Sequence, residues 1–130
     1  MSIRPVRLQL SRRAGFNLQE LSRAINGREA VSVTRSGVFR GLFGNPWRVG
    51  EGTGMSREQA VALHRTWITG AASDAEVGDE TAALRRRVLV LLPELAGKNL
   101  ACTCPLPRPY EADICHAAIL IELANPDPEA

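Results

Sequence analysis

Asn99-Leu100-Ala101-Cys102-Thr103-Cys104-Pro105, followed by Cys115-His116, is the stretch on which the reading of this chain turns. Asn99 to Cys104 is short, largely apolar and bounded by Gly97-Lys98 and a proline, which is the pattern of a brief buried strand. Residues two apart on a strand point to the same face, so Cys102 and Cys104 are expected to project together from its C-terminal end. Pro105, Pro107 and Pro109 stiffen the connection that follows. A helix is expected from Ala112 onward, with Ile114, Ala118, Ile121 and Ala124 or Leu123 on its buried side and Asn125-Pro126 as its stop. Its first turns would then carry Cys115 and His116.

Working outward, Val6, Leu8 and Leu10 alternate with Arg7 and Gln9 and predict a half-buried strand within residues 1–10. Leu18, Leu21 and Ile25 predict a helix closed by Asn26-Gly27, and Ala30 to Thr34 predicts a second strand. Ser56 and Gln59 form a capping box ahead of an apolar stripe of Ala60, Leu63 and Trp67. Ala71 to Gly78 reads as an exposed connection. A further helix starts near Asp79 or Thr81 and runs through Leu84, Val88, Leu91 and Leu95, with Pro93 breaking or re-nucleating it. Strands alternating with helices predict one small α/β domain over residues 1–130, a short sheet flanked by about four helices.

The composition narrows the class. The chain has 130 residues, 45% hydrophobic and 23% charged, with a formal net charge of +2. These values exclude a disordered chain, a collagen-like fibre and a disulfide-stapled mini-protein. All sixteen basic residues except Lys98 are arginine, but they are scattered, and aromatics make up only 5%. An extended nucleic-acid surface is therefore not expected. No transmembrane run and no export-type leader are visible, and the three cysteines read as reduced thiols, which points to the cytoplasm.

Ser36 to Gly54 holds six glycines and the turn dipeptide Asn45-Pro46. A stretch this long without periodicity reads as a binding loop, anchored by Phe43 and Trp47. Backbone N–H groups around Gly44, Asn45, Pro46 and Trp47, with Arg35, Arg40 and Arg48 nearby, could present an anion site for a small anionic ligand or nucleotide. The loop is not a Walker A loop, and its alternative is a structured surface loop. The runs Arg12-Arg13 and Arg85-Arg86-Arg87 read as solvated faces, and His64 reads as a surface or edge residue.

Three readings of the Cys/His cluster stand side by side. The first is a metal site with Cys102, Cys104, Cys115 and His116 as ligands, zinc being the best match to three thiolates and an imidazole. The second is a cysteine-dependent enzyme acting on nucleotides or nucleic acid. Its nucleophile would be Cys115, activated by the helix N-terminus and paired with His116 or His64. The third is simple packing, since cysteine is among the most buried residue types. Glu111 and Asp113 either cap the last helix or orient His116.

Three segments together resemble the family catalogued as domain of unknown function 4326, found in phages and bacteria. They are Val6 to Phe16, the loop from Val31 through Gly44-Asn45-Pro46-Trp47, and Gly97 to Pro105 followed by Cys115-His116-Ala117. The chain departs from that pattern at Thr103, where tryptophan is usual, at Ala118, where an acid is usual, and in a longer segment at 18–27. The resemblance implies that the Gly-Asn-Pro loop and the Cys/His cluster form one site. It implies no particular activity, and a non-enzymatic phage-associated adaptor is a further expectation.

Overall fold

The computed structural model describes residues 4–50 and 52–126. The first residues of the segment read as the 1–10 strand, and Glu51 within the glycine-rich loop, lie outside that range.

Three short parallel strands, β1 (Arg7–Gln9), β2 (Ala30–Ser32) and β3 (Asn99–Cys102), form a sheet in the order β1-β3-β2. The stretch that decided the reading is thus the central strand. Arg7 lies opposite Leu100, Gln9 opposite Cys102, and Ser32 opposite Ala101. Each strand is shorter than its apolar pattern predicts, although Leu10 and Val33 extend the ladder with bonds to the carbonyls of Cys102 and Ala101. All four residues of β3 are buried, as a strand covered on both faces requires.

Among the described residues six α-helices surround the sheet: α1 (Leu18–Asn26), α2 (Val38–Gly41), α3 (Arg57–Ile68), α4 (Asp74–Val77), α5 (Asp79–Leu91) and α6 (His116–Ala124). Four exceed a single turn, matching the expected number. α4 occupies part of the predicted connection 71–78, capped by Ser73, whose hydroxyl accepts from the Glu76 N–H. Pro93 re-nucleates the chain after α5 as a 3₁₀ turn, Leu92–Leu95.

Helix faces were the least legible part. On α1 the apolar stripe is turned outward: Leu21 and Ile25 are 36% and 49% exposed, while Ser22 is fully buried. α1 docks through amides instead. Gln19 exchanges two hydrogen bonds with the Ala30 backbone, at 2.8 and 2.9 Å. The buried Asn99 amide pairs with Asn26 and donates to the Ser22 hydroxyl at 2.7 Å. α3 opens on the predicted capping box, with both reciprocal bonds formed. Its buried face is Ala60, His64, Trp67 and Ile68, so His64 takes the core position assigned to Leu63. α6 begins at His116, not Ala112, and buries Ala117, Ile119, Leu120 and Ala124.

The glycine-rich loop folds back on Arg35. Leu42 and Phe43 enter the core alongside Trp67 and Leu120. A Cβ at Gly41 would lie 1.7 Å from the Arg35 carbonyl oxygen, and one at Gly44 2.9 Å from Arg35 Cα, so both positions require glycine. Asn45 is buried and committed to the fold: its Nδ2 donates to the Ala60 carbonyl, and its Oδ1 accepts from the Trp47 N–H. The first bond ties the loop to the start of α3, and the second closes the turn within the loop.

Candidate metal centre and adjoining pocket

Cys102 sits at the C-terminal end of the central strand, the position at which open α/β sheets gather ligands. Cys115 is the N-cap of α6 and His116 its first residue. The two elements converge so that the Cys102 and Cys115 sulfurs and a His116 ring nitrogen all lie within 4.8 Å of one another, and all three residues are buried. Cys104 lies one step outside this group, with its Sγ 3.9 Å from that of Cys102. In a tetrahedral zinc site with bonds of about 2.3 Å, sulfurs stand about 3.8 Å apart. The three thiols are free, and the group Cys102/Cys115/His116 could hold a metal ion.

His116 is already oriented for that role. Its Nε2 lies 2.7 Å from the Val33 carbonyl oxygen, an arrangement in which Nε2–H donates and Nδ1 keeps its lone pair. Metal-bound histidines are commonly held by such a bond to a carbonyl. Glu111 and Asp113 do not supply it: Glu111 pairs with Arg108 at the surface, and Asp113 pairs with Arg7.

The thiols differ sharply. Contacts with Cys104, then Cys115 and His116, hold the Cys102 thiol well below the ordinary range against the opposing effect of burial. Cys115 is pushed far up, first by its bond to Cys102, then by Cys104 and burial, and Cys104 is raised for the same first reason. Cys115 has no exposed surface.

Arg7 binds the two cysteine-bearing segments together. Its Nε and Nη2 form a two-pronged pair with Asp113 at 2.6 and 2.9 Å, and Nη1 and Nη2 donate to the carbonyls of Cys104 and Pro105 at 2.8 and 2.5 Å. The alternation in β1 placed Arg7 on the solvent side; the structure buries it. Burial alone would lower the guanidinium pKa, but the Asp113 bond and the nearby thiols raise it.

A cavity of about 270 Å³ opens beside the cluster. Cys102, Cys104 and His116 form part of its wall, Thr34, Asn45 and Trp47 another, and Arg35 and Arg57 supply positive charge. Of the residues expected to bind a ligand, Arg35, Asn45 and Trp47 therefore reach this space. Gly44 and Pro46 shape the loop behind it. Arg48 is exposed and close enough to Arg35 to lower its pKa after burial has done so. Arg40 is exposed, away from the cavity, with φ 58° in the left-handed region. Arg57 escaped the sequence reading because it fills the first turn of α3. The signal was there, since a cation opposes the positive end of the helix dipole and calls for an anion.

A row of rings joins loop and cluster. Trp47 packs edge-on to Trp67 at 5.5 Å, Trp67 to His64 at 5.6 Å, and His64 to His116 at 5.4 Å between centroids. His64 is buried, and its Nδ1 has no hydrogen-bond partner among the described residues. Burial, then the neighbouring His116 and Arg65, lower its pKa to about 3. An unfolded histidine takes up its proton near pH 6.5, so stability is full above that pH and falls as the pH drops toward 3. In metal-free protein we expect His64 to contribute a loss of about 3 kcal/mol between pH 7 and pH 4. Urea unfolding of His64→Phe at both pH values checks this; an acid loss equal to that of the unmodified protein would refute it.

These features define a small α/β domain with a buried Cys/His cluster at the end of its central strand. Residues 16–126 match the family described as Domain of unknown function (DUF4326), and the chain belongs to that family. No curated protein and no solved structure matches it. Among the described residues no helix is long and apolar enough to cross a membrane.

Proposed function

We propose that the domain is a metal-binding module that takes a small anionic ligand of the nucleotide class. Cys102, Cys104, Cys115 and His116 hold a zinc ion at the floor of the pocket, and Arg35 and Arg57 receive the anion at its wall. The observation that carries this reading is the convergence of three buried donor residues, Cys102, Cys115 and His116, with a His116 ring nitrogen engaged by the Val33 carbonyl. A thiolate-rich set with one imidazole suits zinc. Among the described residues neither Arg35 nor Arg57 has an ion-pair partner; Arg35 gives Nη2 to the Trp47 carbonyl at 3.1 Å and keeps its other donors for an anion. The cavity lies just below the roughly 300–1,000 Å³ of ordinary ligand sites, which favours a mononucleotide or smaller. Trp47 offers part of its ring system as an apolar surface for a base.

Elemental analysis of protein purified under reducing conditions tests the first half, with one zinc per chain expected. Absence of stoichiometric metal together with three freely titratable thiols would overturn it. For the second half, calorimetric titration with AMP is expected to lose at least about tenfold in affinity in Arg35→Ala and in Arg57→Ala, the equivalent of one charge-assisted contact. Unchanged binding in both variants would remove the arginines from the site.

A further inference from the structure

We propose that Cys104 is an exchangeable ligand of this metal centre, and that the coordination position it vacates is the one offered to the pocket's occupant. The proposal rests on the metal-centre reading above and adds which of the four ligands moves.

The four residues are not equivalent. Cys102 lies on the central strand, paired with Gln9 of β1 and bonded to the Leu10 N–H, and Cys115 has no exposed surface. His116 is fastened through Nε2 to Val33. All three are buried. Cys104 lies past the end of β3, is half-buried, and stands outside the tight three-residue group while keeping its sulfur 3.9 Å from that of Cys102. Its side chain borders the cavity that Arg35 and Arg57 make positive.

The backbone is built for such an exchange. Arg7 holds the carbonyls of both Cys104 and Pro105, so the main chain at this point stays fixed while the sulfur moves. A change of the Cys104 χ1 rotamer is then sufficient, a motion of low cost for a partly exposed side chain. In the exchange the donor atom of the incoming anion bonds to the metal and the Cys104 sulfur–metal bond breaks. The released thiolate takes a proton from water. No electrons are transferred. The centre therefore has three fixed protein ligands and one open position, as in zinc sites that act on a ligand, and not four closed ones as in purely structural sites.

Cobalt(II) loaded into the full chain tests this, because thiolate-to-cobalt charge transfer scales with the number of bound sulfurs. With azide as the probe, the charge-transfer band is expected to fall by about one third, from three thiolates to two. Cys104→Ser is expected to keep one cobalt per chain and to show no such fall on azide addition. Cys102→Ser should bind no stoichiometric cobalt. Limiting iodoacetamide on the zinc-loaded wild-type chain is expected to modify Cys104 at least about tenfold faster than Cys102 or Cys115, with the metal retained. That measurement decides the matter even if a variant fails to fold. A band that ignores azide, equal protection of all three cysteines, or loss of cobalt from Cys104→Ser as complete as from Cys102→Ser would overturn the proposal. Failure of the wild-type chain to bind any cobalt or zinc would instead overturn the metal centre itself.

Discussion

Cys115→Ser is expected to abolish stoichiometric metal binding and to lower the melting temperature of the metal-loaded protein by on the order of 10 °C or more. The substitution is nearly isosteric, so the apolar packing around this fully buried residue is kept, but a hydroxyl is a poor ligand for a soft site. Binding to the folded state alone stabilises by about 4 kcal/mol when free metal stands at a thousand times its dissociation constant. In a chain of this length each kcal/mol moves the midpoint by a few degrees. The comparison in chelator isolates the cause. There the stability of Cys115→Ser is expected to lie within about 1–3 kcal/mol of wild type, the cost of burying a hydroxyl in place of a thiol. Calorimetry with and without chelator reads both quantities. A variant that melts far below wild type even in chelator would place Cys115 in packing rather than in metal binding.

The parts of this fold that were legible in the sequence are those governed by local chemistry. Ser56 with Gln59 announced the start of α3 because a capping box is satisfied within four residues. Asn26-Gly27 announced the end of α1, where Gly27 takes φ 75° and its N–H bonds to the Arg23 carbonyl. What could not be read were choices made by distant partners. The stripe of Leu21 and Ile25 is as good a core face as any in isolation. α1 turns it outward because Asn99, on a strand far along the chain, offers a buried amide that Ser22 and Asn26 satisfy. α6 is apolar nearly all round, so its periodicity could not choose a face. The cysteine cluster was visible because the thiols crowd into a short stretch at a strand end, although the strand stops at Cys102 and Cys104 lies just beyond it. That His64 joins it through the row of rings from Trp47 to His116 was not, since nothing in its neighbours Leu63 and Arg65 marks the residue as buried.

Arg7 was hidden for the same reason, and its replacement carries the second large effect. Arg7→Met is expected to cost about 3 kcal/mol in the metal-free protein and to weaken metal binding by at least about tenfold. The first figure follows from what the methionine leaves behind. Asp113 keeps its charge without the two-pronged partner, and the carbonyls of Cys104 and Pro105 lose their donors. The Arg7 side chain is 3% exposed, but that of Asp113 is 21% exposed, so water recovers part of the loss. The cost therefore falls at the lower end of the roughly 3–5 kcal/mol seen when one member of a buried pair is removed. Arg7→Lys should be intermediate, since an ammonium restores the charge but cannot reach the carboxylate and both carbonyls with a fixed fork. The double variant Arg7→Met/Asp113→Asn should recover part of the loss by removing the stranded charge, which shows the two residues to be coupled. The metal effect has a separate origin. Arg7 is the contact that holds the turn after Cys104 against the segment leading into Cys115, so without it the sulfurs are no longer held in register. Urea unfolding in chelator gives the first quantity, and competition with a chromophoric chelator gives the second. If Arg7→Met binds metal as tightly as wild type while losing the full 3 kcal/mol, roughly the cost of the broken pair alone, then Arg7 holds the fold but not the centre.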